Sequence, residues 1–214
     1  MRMRKKVWAK PYLETRCDVM IEDASKCKGN WKNILKRDKL HVEIGSGKGD
    51  YWIKMADLYP EDGWIGIEKS TDATAIAVRK CDLNPTNMRF INDGAEIIGE
   101  WFDTNEVDYI HLNFSDPWHK KAHAKRRLTA ASFLKQYEEI LSDDGVVIMK
   151  TDNSQLFEYS LLSFAQEKWQ LIDVSVDFRR ELHDEDVITE YEANFMAKGQ
   201  PIYRGIWKKQ EVTR

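Results

Sequence analysis

Three glycines spaced by single residues follow the first strand-like run of the sequence. The segment 43–49 reads EIGSGKG and contains Gly45, Gly47 and Gly49. Glycine lets the backbone turn sharply from strand to helix and lets a ligand approach closely. Asp50 stands where a dinucleotide fingerprint has glycine, and Lys48 is followed by glycine rather than by the Ser or Thr of a P-loop. Glu43 suits an ammonium group, so the turn is predicted to bind a ligand with a cationic amino-acid part.

Two further acids stand at the ends of strand-like runs. Glu68 ends the second run, where a carboxylate accepts hydrogen bonds from both hydroxyls of a ribose. Asp93 follows the third run, where it suits an adenine amino group. Either acid alone is more often a surface residue or a helix cap. Their shared position at strand ends favours a nucleoside ligand, because open α/β sheets bind ligands at this edge.

This pattern over about residues 40–150 resembles the class I S-adenosylmethionine-dependent methyltransferases. The resemblance implies S-adenosyl-L-methionine as cofactor, with S-adenosyl-L-homocysteine as product. It also implies that Glu43, Glu68, Asp93 and the glycine turn bind this cofactor.

A dense cationic run follows the fourth strand-like run. The segment 113–118 reads NFSDPW, and 119–127 reads HKKAHAKRR with five Lys or Arg and no acid. Asp116 is expected near the sulfonium, and Trp118 is a candidate for stacking on a base. The alternatives are a Ser-Asp-Pro turn and a core tryptophan. Cations beside a transfer site indicate a phosphate-bearing acceptor.

The segment 116–127 resembles the signature of the bacterial tRNA (guanine-N7)-methyltransferases. KTDN at 150–153 and TEYE at 189–192 agree, so the resemblance runs over about residues 40–207. Ser115 departs mildly, since many members have proline there. The resemblance implies methyl transfer to N7 of the guanosine at position 46 of the tRNA variable loop. It implies that Asp116 also contacts the cofactor. The residues expected to bind substrate are Lys120, His123, Lys125, Arg126, Arg127, Asp152, Thr189, Glu190, Tyr191 and Glu192.

Guanine N7 carries a lone pair and no proton, so its methylation needs no general base. We expect catalysis by positioning and electrostatics, with Asp116 and Asp152 as the catalytic residues. Asp152 and Glu192 are expected to accept from guanine N1–H and N2–H₂, donors that adenine lacks. The alternative for Asp152 is an acid at a helix N-terminus, favoured by the helix dipole.

Alternating strand-like and helix-like runs must position these residues. Strands are predicted at 40–44, 64–68, 88–91, 107–114, 145–149, 170–176 and 202–207, and helices near 49–58, 71–81, 95–101, 129–141 and 153–168. Thr129 and either Asn153 or Ser154 are expected as N-caps. The order predicts an α/β fold with a parallel sheet and helices on both faces. The resemblance implies the Rossmann-like methyltransferase form of this sheet, seven-stranded and mostly parallel, with an antiparallel strand near the C-terminus. Residues 1–39 are predicted to be a basic arm or helical extension, and 40–214 the methyltransferase domain, in a single domain overall.

Composition narrows the class of protein. Lys plus Arg is 33 and Asp plus Glu is 36, so a uniformly basic surface is excluded. The cations concentrate in 1–10 and 119–127 with +5 each, whereas 181–192 carries −6. No apolar run suits a membrane span or secretory signal, and three cysteines without a CxxC pair favour a reducing cytoplasm and no metal site. No obligate protein partner is evident, and a monomer is compatible with the sequence.

Three other functions are weighed against the methylation of tRNA. An amino-methyltransferase acting on DNA would carry two prolines in a different register from Asp116-Pro117. A non-catalytic RNA-binding module would have no need for Glu43, Glu68 and the glycine turn. A nicotinamide oxidoreductase is disfavoured by Asp50 and by the absence of a hydride-site pattern.

Overall fold

Strands and helices alternate along the chain as the sequence predicts. The computed structural model describes residues 5–210 of the 214. The chain divides into two units, one ending at Phe102 and the other beginning at Asp103. Each unit contributes four strands within the described residues, so one strand more than the seven predicted is present.

The first unit is a parallel sheet with helices between its strands. Its strands are β1 (Met20–Ile21), β2 (Leu40–Ile44), β3 (Gly63–Ile67) and β4 (Met88–Ile91), in the order β1-β4-β3-β2. Its helices are α1 (Ala9–Glu14), α2 (Trp31–Leu35), α3 (Asp50–Leu58) and α4 (Thr71–Lys80), with 3₁₀ turns at Ala24–Cys27 and Ala95–Glu100. β2 and β3 are buried along their whole length. β3 is an uninterrupted apolar run, as strands of parallel sheets usually are, whereas β2 also buries the polar side chains of His41 and Glu43.

The extension before β2 is structured within the described residues. β1 pairs in parallel with β4, and this two-residue strand is the one that the sequence does not predict. Arg16 anchors the segment by donating to the carbonyl oxygens of Val78 and Asp82, both at 2.9 Å. Its guanidinium also pairs with Asp18 and lowers the pKa of that carboxyl to about 2. Arg2 and Arg4 of the predicted basic arm lie outside the described residues, and the boundary at residue 39 stays a prediction.

The second unit ends in an antiparallel strand pair. Its strands are β5 (Val107–Asn113), β6 (Leu141–Thr151), β7 (Gln170–Ser175) and β8 (Tyr203–Lys208), in the order β5-β6-β8-β7. Its helices are α5 (Ala131–Ile140), α6 (Ser154–Gln166) and α7 (Glu190–Met196), with 3₁₀ turns at Lys121–Arg126 and Phe178–Arg180. β5 and β6 are parallel, whereas β8 runs antiparallel to both β6 and β7. The predicted antiparallel strand near the C-terminus is thereby confirmed.

One predicted helix cap is confirmed and the other is wrong. Asn153 caps α6, because its side chain accepts from the Leu156 amide at 2.8 Å. The N-cap of α5 is Ala130 rather than Thr129. Thr129 is buried, and its hydroxyl lies 2.8 Å from the Ser160 hydroxyl. A tertiary partner has therefore replaced the local capping bond.

We predict that Gly49→Ala destabilises the fold more than Gly47→Ala. Both glycines have positive φ, which costs an alanine about 1–2 kcal/mol. A Cβ at Gly49 would also lie 2.8 Å from the Ala77 Cβ on α4, whereas one at Gly47 meets no atom closer than 4.0 Å. Overpacking adds roughly 1–3 kcal/mol to the cost at Gly49 alone. Urea unfolding of the two variants measures the difference, and equal losses would contradict the close helix packing.

Candidate active site

The glycine turn between β2 and α3 leaves open space beside its backbone. Gly45, Gly47 and Gly49 have φ of +81°, +55° and +76°. A Cβ at Gly45 would meet nothing within 4 Å, and one at Gly47 only the Gly45 carbonyl oxygen at 4.0 Å. Gly49 differs, because it is required for helix packing. The first two glycines therefore form a cradle that a ligand can approach, and the third holds the helices that support it.

Glu68 ties the turn to the end of β3. One of its carboxylate oxygens accepts from the Gly47 amide at 3.1 Å, and the other from the Ser70 amide at 2.8 Å. Each carboxylate oxygen has a further lone pair, so Glu68 can still accept hydrogen bonds from a diol. The side chain is half-buried, which leaves it accessible from the turn.

The three predicted cofactor acids lie at the ends of neighbouring strands. Glu43 pairs in register with Gly66 and is 2% exposed. Ile67 pairs with Ile91, so that Glu68 and the segment 92–93 leave the sheet side by side. Asp93 is exposed, and its carboxylate accepts from the Gly94 amide at 2.7 Å. The parallel register thus places the acids along one edge, as expected.

Two supporting residues of this edge are not predicted from the sequence. Ser46 accepts from the Ile67 amide and donates to the Glu43 carbonyl, each at 3.1 Å. Asn92 donates to the Glu68 carbonyl at 2.8 Å. Their positions next to Gly45 and Asp93 are the only signal the sequence offers for these roles.

In the second unit, the turn after β5 holds a strained backbone. Phe114 and Trp118 have φ of +50° and +44°, a region that side-chain-bearing residues rarely adopt. Arg127 clamps the turn by donating to the carbonyl oxygens of Pro117 at 2.9 Å and Trp118 at 3.2 Å. Its guanidinium also packs 4.2 Å from the centroid of the Tyr159 ring. Arg127 therefore shapes the loop, and its contact with tRNA stays a prediction.

The other cations of the 119–127 run face solvent. Lys120, Lys121, Lys125 and Arg126 are exposed around the 3₁₀ turn at Lys121–Arg126. Trp118 connects this run to the turn, with the Arg126 guanidinium 5.1 Å from its ring and the His123 ring edge-on at 5.7 Å. The arrangement presents a positive surface beside Asp116.

Asp152, Asp116 and Tyr191 interact electrostatically. Burial raises the pKa of the half-buried Asp152 carboxyl. The pKa of Tyr191 is raised by burial and then by the negative charges of Asp152 and Asp116. The Tyr191 ring lies 5.1 Å from Phe114 and is 51% exposed. The Phe114 amide also donates to the Lys150 carbonyl at 2.8 Å, so the segments that carry Asp116, Asp152 and Tyr191 lie beside one another.

Glu192 occupies a different environment from the one expected. It is fully buried and pairs with Arg179 at 2.6 Å and with Lys150 at 3.5 Å. It also completes a capping box with Thr189 at the start of α7. The Glu192 carboxylate therefore has no exposed oxygen. That Glu192 reads the guanine edge stays a prediction, and this burial does not favour it. Arg179 and Asp186, which share this cluster, are functional candidates that the sequence does not single out.

Neither a membrane-spanning helix nor a metal-binding group is present among residues 5–210. None of the described helices is long and apolar enough to cross a membrane. Over the same residues, no group of three His, Cys, Asp or Glu side chains is arranged to hold a metal ion.

Comparison with known proteins places the chain in a family. Residues 37–205 match the family described as "Putative methyltransferase". The chain is 45% identical over 206 residues to a tRNA (guanine-N(7)-)-methyltransferase of Oceanobacillus iheyensis, covering 95% of this chain and 97% of that one. The Bacillus subtilis protein of the same name is 42% identical, with 95% and 97% covered. The chain belongs to the tRNA (guanine-N7)-methyltransferase family.

Solved structures of methyltransferases share the fold. An antibiotic-related methyltransferase matches with a TM-score of 0.63 and 17% identity, over 90% of this chain and 98% of that one. The 16S rRNA methyltransferase KamB matches with a TM-score of 0.63 and 11% identity, over 83% and 91%. The predicted Rossmann-like methyltransferase fold is therefore confirmed. Family membership also removes the nicotinamide oxidoreductase from the alternatives.

We predict opposite stability effects for two aspartate substitutions in this family member. Burial raises the pKa of Asp152, so the folded state holds this proton more tightly than the unfolded state. At pH 7, Asp152→Asn should therefore leave the free energy of unfolding equal to or above that of wild type. Asp18→Asn should lower it by roughly 1.5–3 kcal/mol, because charged hydrogen bonds to Arg16 are lost.

The direction in which pH changes the stability of each variant follows from proton binding. As pH falls from 7 through the folded pKa of Asp152, wild type should gain stability relative to Asp152→Asn. As pH falls through the lowered pKa of Asp18, wild type should lose its advantage over Asp18→Asn. Chemical denaturation from pH 7 down to about pH 1 measures both trends. A strong loss of stability in Asp152→Asn at neutral pH would show that Asp152 is structural.

Proposed function

We propose that this protein transfers the methyl group of S-adenosylmethionine to N7 of guanosine in tRNA, at position 46 of the variable loop. The observation that carries the proposal is the surface formed by Asp116, Asp152 and Tyr191 next to the cationic run 119–127. Family membership supports the same reaction, since relatives over 40% identical carry that name. The reducing cytoplasm is the proposed place of action.

The first unit supplies the proposed cofactor site. The cradle at Gly45 and Gly47 has room for a ligand against its backbone, which is the fit this cofactor needs. Glu68 would accept from the ribose hydroxyls, Asp93 from the adenine amino group, and Glu43 would balance the ammonium. When bound, the cofactor supplies an electrophilic methyl group on a sulfonium.

The second unit supplies the proposed guanosine site. The N7 lone pair would form a bond to the methyl carbon as the bond between that carbon and sulfur breaks, with S-adenosyl-L-homocysteine as the leaving group. No proton leaves N7, and positive charge develops on the base. Asp152 and the face of Tyr191 stabilise that charge, since carboxylates and aromatic faces both attract cations. Asp152 would also accept from guanine N1–H and N2–H₂, which selects against adenine. Asp116 would hold the geometry of transfer.

Exposed cations would hold the phosphate backbone of tRNA. Lys120, Lys121, Lys125 and Arg126 lie on one loop beside this surface. His123, half-buried against Trp118, would support the same face. Lys5, Lys6 and Lys10 of the N-terminal segment add a second basic region within the described residues.

We predict that Asp152→Asn lowers methyl transfer about a hundredfold, because a fixed charge facing the reacting base is lost. Unmodified tRNA is incubated with the cofactor, and mass spectrometry locates N7-methylguanosine. Asp143→Asn, at a carboxylate whose side chain is 89% exposed, is the matched control and should transfer at the wild-type rate. Transfer by Asp152→Asn at a near-normal rate with intact guanine selectivity would contradict the role of Asp152. Absence of N7-methylguanosine with wild type would overturn the function itself.

We predict that tRNA binding weakens steeply with salt and that the loop cations carry part of this dependence. Each phosphate contact contributes about 0.7–0.9 to the slope of log K against log salt. Replacing Lys120, Lys121 and Lys125 by alanine should lower the slope by about 2. Replacing the exposed Lys26, Lys36 and Lys39 changes net charge equally and should leave the slope near wild type. Equal slopes for all three proteins in a filter-binding titration would count against the loop as the RNA contact.

A further inference from the structure

Four charged side chains form a buried cluster in the second unit. The Arg179 cluster consists of Lys150, Arg179, Asp186 and Glu192, whose side chains are 0%, 5%, 9% and 0% exposed. Asp186 lies 2.5 Å from both Lys150 and Arg179. Glu192 lies 2.6 Å from Arg179 and 3.5 Å from Lys150. Two cations and two carboxylates therefore neutralise one another away from solvent.

Such a cluster is a costly way to stabilise a fold. Removing charges from water costs several kcal/mol per ion, and apolar residues of similar volume often stabilise as well or better. What a buried ion cluster provides more reliably is a single arrangement, because each charge tolerates few positions of its partners. The cluster is therefore best explained by what it holds in place.

It holds the segment between β7 and β8 onto the end of β6. Arg179, Asp186 and Glu192 come from this segment, whose Leu182 and Ile188 are 85% and 43% exposed. Apolar packing by those two side chains is accordingly slight. The buried Phe178 anchors the start of the segment, where its ring lies 4.7 Å from the Arg179 guanidinium. Arg179 also donates to the carbonyl oxygens of Asp186 and Val187, each at 3.2 Å, which fixes the loop before α7.

Both ends of the cluster adjoin the proposed guanosine site. Lys150 precedes Asp152 by two residues at the end of β6, and its carbonyl accepts from the Phe114 amide at 2.8 Å. Glu192 directly follows Tyr191, whose ring contacts Phe114. The cluster thus links the strand that carries Asp152 to the helix that carries Tyr191.

We propose that Arg179 is a positioning residue for methyl transfer, which sets Tyr191 against Asp152 through Glu192 and Asp186. This proposal rests on the proposed function, because it concerns the guanosine site alone. Arginine is suited to the task, since its planar fork bonds two carboxylates and two carbonyls at once. Lysine at this position would keep the charge but not the fork.

The deciding comparison is Arg179→Met against Arg180→Met. Arg180 is the adjacent residue, its side chain is 59% exposed, and its ion pair to Glu181 is 3.9 Å long. Both variants change net charge equally. We expect Arg179→Met to lower kcat/KM for tRNA by on the order of tenfold to a hundredfold, the effect of a small misplacement. Arg180→Met should stay within about twofold of wild type, and both should bind S-adenosylhomocysteine as wild type does.

Arg179→Lys separates positioning from folding. It should keep cofactor affinity and unfolding midpoint close to wild type yet recover only part of the lost transfer rate. The pKa of its Tyr191 should lie nearer the ordinary tyrosine value in an NMR titration, because a displaced ring loses burial, the largest cause of the raised pKa, and moves away from Asp152 and Asp116.

Three outcomes would overturn the proposal. One is transfer by Arg179→Met at the rate of Arg180→Met. Another is a parallel loss of cofactor binding in both Arg179 variants, which would make the cluster a general support of the fold. The third is an unchanged Tyr191 titration in Arg179→Lys. If wild type itself forms no N7-methylguanosine, the proposed function fails instead, and the two failures are thereby distinguished.

Discussion

The parallel register of β2, β3 and β4 is the constraint on which the first unit depends. Interior strands covered on both faces accept few polar side chains, so functional groups must stand where the strands end. Glu68 and Asp93 obey this rule and leave the sheet side by side. Glu43 is the second-to-last residue of β2 and is 2% exposed. It is therefore the acid most sensitive to a change of register. The glycine turn then needs no side chain of its own, because its role is to leave space.

The second unit distributes its charges in two ways. The cations of 119–127 are largely exposed, as a surface for a polyanion requires. The acidic stretch 181–192 is divided, because Asp186 and Glu192 turn inward to Lys150 and Arg179, whereas its other four acids are exposed. The near balance of 33 cations and 36 acids in the sequence therefore hides two local features. One is an exposed positive loop, and the other is a pair of carboxylates neutralised inside the protein.

Local patterns predicted most of the fold, and distant partners account for what they missed. The strand predicted at 40–44 has those bounds in the structure. Its apolar residues and the glycine after it determine the strand through neighbouring positions alone. Asn153 caps α6 through a residue three positions away, which the sequence also displays. The sequence predicts Thr129 as the cap of α5, but its hydroxyl forms a hydrogen bond with the Ser160 hydroxyl, 31 residues away.

The candidate site divides in the same manner. Glycines and acids at strand ends were visible in the sequence because each role depends on nearby positions. The sequence predicts that Glu192 contacts the guanine base. In the structure its carboxylate contacts Arg179 and Lys150, which are 13 and 42 residues away in the sequence. Hydrophobic periodicity reflects neighbouring positions, so it cannot predict a contact between residues this far apart in the sequence. The two-residue strand β1 is not predicted for a different reason, since it is only one repeat of a strand pattern long.

The left-handed backbone of Phe114 and Trp118 has a consequence for any attempt to make the protein more heat-resistant. Glycine at either position would relieve strain, so selection for heat resistance alone would favour it. The aromatic rings would then be lost: Phe114 from Tyr191, and Trp118 from His123 and Arg126. A gain in stability at this turn would therefore come at the expense of the aromatic contacts beside the proposed guanosine site.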